Sequence, residues 1–228
     1  MAVSYVFVHG ASHGAWCWER LLPFLEADPR VASVVAIDLA GHGTRRDAKP
    51  LEEIAIADYV DDIVHAIESR DLHDVVLVGH SLAGISIPHA AARLLPRIER
   101  LVYLATSNPP AGSSIMELMK HPLSPISRGI AADTMFCNDL DPETTAWLLE
   151  RLGDEPPGPM NEPVAQAELP PDLPTTYILL ERDETLPDAL QLEQAKVAQV
   201  DEVIRFDSGH SAFAARPREL AELLLSWA

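Results

Sequence analysis

Long hydrophobic runs and paired cysteines are both missing from this chain of 228 residues. No stretch reaches the run of about 18 apolar residues from which a membrane-spanning helix is predicted. The two cysteines, Cys17 and Cys137, cannot build a disulfide framework and are typical of a reducing compartment. No basic, cleavable leader precedes the first strand-like segment, which begins by Ser4. Together these absences predict a soluble, cytoplasmic protein.

Basic residues are also scarce. The chain has 17 Lys and Arg against 35 Asp and Glu, a formal net charge of −18 at pH 7. A field of that sign repels phosphate backbones and anionic lipid surfaces, so neither nucleic acid nor a membrane is expected as a partner. The composition, 47% hydrophobic and 23% charged, is that of a globular protein, and the length fits one α/β domain with a small insertion.

Short apolar runs rich in β-branched residues alternate with segments of helical period. This pattern predicts an α/β fold with about six mostly parallel strands, each buried on both sides, and helices on both faces of the sheet. A helix is predicted over residues 54–69 and another from Pro217 to the end of the chain. The predicted strands are residues 5–8, 34–37, 75–78, 101–104, 177–180 and 203–206.

One segment, residues 107–174, breaks this alternation. It contains 12 of the 19 prolines and is far longer than a crossover between neighbouring strands requires. It also carries too many large apolar side chains to remain in water. We therefore predict a cap over the ends of the strands, inserted after the fourth strand, with helices over residues 114–120 and 142–152. The core then comprises residues 1–106 and 175–228.

The segment VVLVGHSLAG, residues 75–84, predicts a nucleophile elbow. A buried strand runs into Gly79-His80-Ser81 and then into a predicted helix over residues 82–94. The turn is so tight that the serine is strained and only small residues fit two positions away on either side. Ala83 stands where the strict pattern has glycine, and a methyl group is tolerated there. Ser81 is the predicted nucleophile.

A serine hydroxyl needs a base, and the base is expected late in the chain. Only His121 and His210 follow the helix after Ser81. His121 lies inside the cap, whereas His210 lies in a glycine-containing loop just past the last strand. His210 is therefore the predicted base.

The acid is expected at the end of an earlier strand. No carboxylate follows the fourth strand closely, whereas several follow the fifth. Asp183 is the predicted acid because it stands three residues past that strand, where a short side chain can accept a bond from His210 Nδ1. Glu181 and Glu184 remain alternatives and otherwise belong to the solvated surface.

Acyl transfer also needs two amide donors for the oxyanion. The amide of Leu82 follows the nucleophile, and the amide of Ala11 lies in the glycine-containing loop after the first strand. These two residues are the predicted oxyanion hole. The neighbouring histidines lack metal-ligand spacing with acidic partners, so they are expected to orient loops by hydrogen bonds rather than to bind a metal. They are His9, His13, His42 and His80.

With these residues assigned, the chain resembles the α/β-hydrolases. Within that fold it is similar to the branch of plant methylesterases, hydroxynitrile lyases and their bacterial esterase relatives. Asp183, followed by Pro187, belongs to the same pattern. The segments that carry the resemblance are VHGASHGAWCW (8–18), DLAGHG (38–43), GHSLAG (79–84) and SGHS (208–211).

The resemblance also separates two chemistries. Lyases of this branch carry threonine after the oxyanion-loop histidine and lysine directly after the catalytic histidine, where the lysine handles the cyanide charge. Here these positions are Gly10 and Ser211. An ester needs no cation beside the base, so the sequence favours hydrolysis.

The predicted function is a serine hydrolase that cleaves small, largely apolar carboxylic esters through Ser81, His210 and Asp183, without a metal or organic cofactor. The alternatives are a hydroxynitrile lyase, a specialised secondary-metabolite hydrolase or cyclase, and a non-catalytic ligand receptor. The expected partner is a small-molecule ester, and a homodimer is left open. The predicted substrate-binding residues are Gly10, Met116, Met119, Phe136 and Trp147.

Overall fold

Six parallel strands form one sheet at the centre of the molecule, in the order β2-β1-β3-β4-β5-β6. The computed structural model describes residues 2–228. The predicted number of strands and their parallel direction are confirmed. The strands are β1 (Val3–Val8), β2 (Val31–Ile37), β3 (Val75–His80), β4 (Ile98–Leu104), β5 (Thr175–Leu180) and β6 (Glu202–Phe206).

Burial differs between the middle and the edges of the sheet. Every residue of β1, β3 and β5 is buried, as predicted for strands covered on both faces. The prediction is wrong for β2 and β6, which are partly exposed along their length. These are the outermost strands, so each has a neighbouring strand on one side only.

Helices cover both faces of the sheet because side chains alternate along each strand. Val6 and Val8 pack on one face with helix α2, whereas Tyr5 and Phe7 pack on the other with helices α1 and α11. Pro217 occupies the first turn of α11, as predicted. The helices of the core are α1 (Leu22–Glu26), α2 (Ile56–Glu68), α3 (Ile87–Arg93), α9 (Asp188–Ala198), α10 (Ala212–Ala215) and α11 (Pro217–Leu225).

The segment after β3 differs from the single predicted helix. A 3-10 turn covers Ser81–Ile85, and α3 starts only at Ile87. Pro88 lies in the first turn of α3 and has no amide hydrogen to bond a carbonyl of the preceding turn, so a continuous helix through this point would lose a hydrogen bond.

The cap is inserted between β4 and β5, as predicted, and is built from five short helices. Prolines stand in the first turns of α5, α7 and α8, where a missing amide hydrogen costs nothing. This role accounts for part of the proline content of the segment. The cap helices are α4 (Ile115–Leu118), α5 (Pro125–Arg128), α6 (Ala132–Cys137), α7 (Pro142–Leu149) and α8 (Pro157–Asn161).

Helices α4 and α7 match the two predicted cap helices but are shorter, and α5, α6 and α8 were not predicted. The exact core and cap boundaries stay a prediction. Within residues 2–228 no helix has the length and apolar character needed to cross a bilayer. Cys17 and Cys137 are both buried free thiols.

Candidate active site

The candidate site lies at one edge of the sheet, where the carboxyl ends of the parallel strands meet. Ser81 directly follows β3, and Asp183 stands three residues after β5. His210 stands four residues after β6. The loop after β1, residues 9–14, lies at the same edge. Ligand sites of parallel α/β sheets form at this edge because the connecting loops converge there.

Ser81 has the strained backbone that a nucleophile elbow requires. Its φ angle is +53°, in the left-handed region that non-glycine residues rarely adopt. A Cβ at Gly79 would lie 2.7 Å from Ile87 Cδ1 and 3.0 Å from Ala83 Cβ, so only glycine fits there. The methyl group of Ala83 thus packs against Gly79, which explains why alanine replaces glycine on one side of the elbow only.

Ser81, His210 and Asp183 form a continuous chain of hydrogen bonds. His210 Nδ1 lies 2.7 Å from Asp183 Oδ2, and His210 Nε2 lies 3.0 Å from Ser81 Oγ. A carboxylate only accepts, so Nδ1 carries the proton and Nε2 is free to accept from the serine hydroxyl. The side chains of His210 and Asp183 are fully buried. The geometry is that of a nucleophile, a base and an orienting acid.

Asp183 is held in place by its own loop. Its Oδ1 accepts hydrogen bonds from the backbone amides of Thr185 (2.7 Å) and Leu186 (2.9 Å), which leaves Oδ2 for His210. The buried side chain of Gln191 binds both the amide and the carbonyl of Leu180, at the start of this loop. The acid is therefore oriented before any substrate arrives.

The two alternative acids point elsewhere. Glu181 pairs with Arg205 at 3.1 Å, and Glu184 pairs with Arg128 at 2.6 Å. Both glutamate side chains are about two-fifths exposed, at 40% and 43%. Asp183 is the carboxylate of this loop that contacts His210.

The loop after β1 passes directly against the nucleophile. A Cβ at Gly10 would lie 2.7 Å from Ser81 Cβ, so this close approach requires glycine. The amides of Ala11 and Leu82 have no acceptor among residues 2–228. The amide in this loop and the amide after the serine are therefore free to donate to a bound oxygen atom.

The histidines of the neighbouring loops make hydrogen bonds, as predicted. His9 accepts from the Leu39 amide and donates to the Gly10 carbonyl. His13 donates from Nδ1 to the Ala11 carbonyl at 2.7 Å, and His80 donates from Nε2 to the His210 carbonyl at 2.9 Å. No group of three or more His, Cys, Asp and Glu side chains in the described part of the chain could hold a metal ion.

Three of these imidazoles are neutral because they are buried. Burial lowers the pKa of His9 to about 3 and that of His13 to about 4. Burial also lowers the pKa of His80 well below its usual value, and the neighbouring His210 adds to the effect. These groups orient the loops without adding charge to the site.

A cap residue holds the loop after β1 from outside. Glu155 Oε2 accepts the Ser12 amide at 2.6 Å and lies 3.1 Å from His42 Nε2, while Oε1 accepts the Tyr59 hydroxyl at 3.1 Å. The Gly153 amide donates to the Ser12 carbonyl at 2.8 Å. Ser12 has a φ angle of +62°, so the cap fixes the loop at its strained residue, next to Ala11.

The predicted cap residues occupy different positions. The Phe136 ring lies 5.9 Å from the His210 ring and 5.3 Å from the His13 ring, beside the catalytic candidates. Met119 packs against the apolar cluster that includes Leu82. Met116 is an outer residue of the cap with 40% of its surface exposed.

The contacts of Trp147 lie away from the triad candidates. Its Nε1 donates to Glu19 at 2.9 Å, and its ring packs against Trp16. The guanidinium groups of Arg20 and Arg151 lie over the same ring, at 4.5 Å and 5.3 Å from its centre. The side chain therefore joins the cap to the 3-10 turn Ala15–Trp18 on the outer side of the loop.

Three residues that contact the site were missed in the sequence. Gln191 lies on α9 and orients the acid loop, and Glu155 and Asp139 reach core loops from the cap. No local motif marks any of them, because each acts on a loop distant in the sequence. Only covariation between distant sequence positions could have identified these contacts.

Comparisons with known proteins identify the family of the chain. The model of the alpha/beta hydrolase family matches residues 5–223. That match spans nearly the whole chain, so the protein belongs to the α/β-hydrolase family.

Several relatives are named as esterases. The chain is 30% identical to the carbendazim hydrolyzing esterase of Nocardioides sp. (strain SG-4G), over 97% of this chain and 98% of that protein. It is 29% identical to methylesterase 10 of Arabidopsis thaliana, over 96% and 90% of the two chains. Among solved structures, an extracellular α/β-hydrolase from a Paenibacillus species superposes with a TM-score of 0.81 at 21% identity, covering 98% of each chain. This last likeness concerns the fold.

Proposed function

We propose that the protein is a carboxylic ester hydrolase that works through a covalent acyl-enzyme on Ser81. The observation that carries the proposal is the unbroken chain from Asp183 through His210 to Ser81, with hydrogen bonds of 2.7 Å and 3.0 Å. Relatives that cover nearly the whole chain are named as esterases, which supports the same reaction class.

In the first half of the reaction, His210 Nε2 takes the proton of the Ser81 hydroxyl as its oxygen attacks the ester carbonyl. The new C–O bond places negative charge on the former carbonyl oxygen, which the Ala11 and Leu82 amides stabilise. His210 then gives the proton to the departing alcohol, and the acyl group remains on Ser81. Asp183 keeps His210 oriented and stabilises the imidazolium.

In the second half, His210 takes a proton from a water molecule, whose oxygen attacks the acyl carbon. The same two amides stabilise the second oxyanion. Collapse of this intermediate breaks the bond to Ser81, returns a proton to its oxygen and releases the carboxylic acid. No step requires a cofactor.

The surroundings of the triad support a small, largely apolar ester. Leu82 belongs to a large apolar cluster against which Ala11 and Met119 pack. Phe136 lies against His210 from the cap. Apolar walls with a few placed polar groups are usual for sites of small-molecule ligands. The predicted cytoplasmic location and the homodimer stay predictions.

Two positions favour hydrolysis over cyanohydrin cleavage. Ser211 stands directly after the base and is fully buried, so no cation is available there for a cyanide ion. A threonine in place of Gly10 would bring its Cβ to 2.7 Å from Ser81 Cβ on this backbone.

The test is the release of p-nitrophenolate from p-nitrophenyl acetate and butyrate by the wild-type protein and by Ser81→Ala. We expect turnover by the wild type and only background release by the variant, with unchanged circular dichroism. Turnover that survives in Ser81→Ala would contradict the mechanism. Absence of ester turnover together with cyanide release from mandelonitrile would replace the proposal by the lyase.

A further inference from the structure

One carboxylate of the cap contacts the loop that carries the base. Asp139 follows α6, and its Oδ2 accepts the backbone amide of Gly209 at 2.7 Å. Gly209 directly precedes His210, so this bond fixes the peptide group next to the base. The Ser208 hydroxyl lies 3.4 Å from the same oxygen.

The same end of α6 also contacts the acid loop. Asn138 Nδ2 donates to the Arg182 carbonyl at 2.7 Å, next to Asp183 in sequence. Thr185, whose amide binds Asp183, donates its hydroxyl to the Met135 carbonyl at 2.7 Å. The cap thus joins the two loops whose relative position sets the contact between His210 and Asp183.

The glycine at position 209 fits this contact. A Cβ there would lie 2.5 Å from Asp139 Oδ1 and 2.8 Å from Asp139 Cγ. Only glycine leaves the carboxylate room to approach the backbone so closely.

Burial of the Asp139 carboxylate at this position costs desolvation free energy. Its side chain is only 6% exposed, and Oδ1 has no hydrogen-bond partner within residues 2–228. The nearest cation, Arg182, lies 3.5 Å away and forms its shorter ion pair, at 2.7 Å, with Asp207. The hydrogen bond from the Gly209 amide is the shortest contact that offsets this desolvation cost, so the carboxylate and the loop before His210 depend on each other.

We propose that Asp139 is a positioning residue for the base: its carboxylate holds the Ser208–Gly209 backbone so that His210 stays between Asp183 and Ser81. This inference rests on the function proposed above. It makes the cap part of the apparatus that aligns the base, in addition to its role as a cover.

The test compares Asp139→Ala and Asp139→Asn with Asp133→Ala, a matched control on α6 whose carboxylate is exposed. Two rates are measured: the phosphonylation of Ser81 by a fluorophosphonate, and kcat for p-nitrophenyl butyrate per titrated site. Normalisation to titrated sites removes the effect of unfolded protein.

We expect Asp139→Ala to lower both rates about 10- to 100-fold with little change in KM, because a small displacement of the base affects the reacting atoms rather than binding. Asp139→Asn keeps a side-chain oxygen for the Gly209 amide and should retain most of the activity. The downfield proton resonance of His210 Nδ1–H should shift or broaden in Asp139→Ala alone.

Wild-type rates per site in Asp139→Ala, even at a lowered melting temperature, would overturn the inference, because a structural role predicts that result. If Asp139→Ala does not fold, Asp139→Glu replaces it: this variant keeps the charge but moves the oxygen, and wild-type rates per site would again contradict the proposal.

The outcome also separates this inference from the proposed function. Phosphonylation of Ser81 without ester turnover would overturn ester hydrolysis, and the labelling rates would still decide the role of Asp139. Failure of the wild type to react with either reagent would overturn both.

Discussion

The candidate site is built from two regions that hold their residues in different ways. On the core side, the three triad candidates follow parallel strands within four residues. Backbone hydrogen bonds to β1 and β4 hold β3, whose residues are all buried, and β5 is likewise held between β4 and β6. On the cap side, the helices are only four to eight residues long.

This difference shows that each region depends on the other. Helices as short as those of the cap are marginal by themselves, so the cap needs contacts with the core to fold. The core loops in turn donate hydrogen bonds to the cap: the Ser12 amide donates to Glu155, and the Gly209 amide donates to Asp139. The strands bring the triad candidates together, and the cap holds the loops that carry them.

The largest effect is expected within the core, at the acid. Asp183→Asn should lower kcat by about 10⁴, because the asparagine no longer holds the required tautomer of His210. The matched variants Glu181→Gln and Glu184→Gln, which remove surface ion pairs only, should stay near the wild-type kcat. Steady-state kinetics with p-nitrophenyl butyrate checks the three. A loss confined to a glutamate variant would show that the acid is assigned wrongly.

The next effect concerns the close approach of the oxyanion loop to the nucleophile. Gly10→Ala introduces a Cβ at 2.7 Å from Ser81 Cβ, so the loop must move and carry the Ala11 amide away from the oxyanion. Loss of one such donor lowers kcat by about 10²–10³. The melting temperature should also fall, because the buried loop must shift to accept the added Cβ, so kcat is expressed per titrated active site. A wild-type kcat would exclude this loop as part of the oxyanion hole.

A smaller effect is expected of pH on the free energy of unfolding. The pKa values of His9, His13 and His80 are lowered by burial in the core, to about 3 and 4 for the first two. In the unfolded chain these groups titrate near 6.5. Below that pH the unfolded state binds protons that the native state does not. The free energy of unfolding should therefore fall, by up to about 1.4 kcal/mol per pH unit for each histidine.

Urea unfolding between pH 7.5 and 5 measures this slope. The buried neutral histidines leave the free energy of unfolding at its full value above about pH 6.5, the pKa of histidine in the unfolded chain. The free energy of unfolding then falls as the pH drops toward the pKa values of these histidines in the native state. His13→Asn should reduce the slope, because it removes one of the three buried imidazoles. A free energy of unfolding that stays constant over this range would contradict neutral buried histidines.

The smallest effects are expected on KM, and they should differ between two aromatic residues of the cap. Phe136→Ala should raise KM about tenfold, because its ring lies 5.9 Å from that of His210, where the substrate would bind, and a lost apolar contact with the substrate is worth about 1.4 kcal/mol. Trp147→Ala should change kcat/KM less than about twofold, because its partners are Glu19, Arg20 and Arg151 near the surface. Equal effects on KM would mean that both rings contact substrate.

Much of the core was predictable because its signals are local. The strands were recognisable as apolar runs, and the elbow around Ser81 by the small residues that a tight turn demands. The choice of His210 and Asp183 used only their places after strands, and the structure brings both into contact with Ser81 or with each other. The exposed edges of the sheet were not predicted, because an apolar run does not reveal whether its strand has one neighbour or two.

The cap was much less predictable. Its helices α5, α6 and α8 have four to six residues, too few to show a period of 3.6. Phe136 and Trp147 looked equivalent in the sequence, both being aromatic residues of the insertion. Their different places follow from how short helices pack against the core, which no local pattern encodes.

Residue types within a few positions of a strand or a turn were enough to assign the family, the sheet and the candidates for nucleophile, base and acid. Which cap side chains reach the site depends instead on how the cap packs against the core. Asp139 and Gly209 stand 70 positions apart, so their contact depends on the packing of the whole chain. Their hydrogen bond exists because β5, β6 and the cap meet at one edge of the sheet.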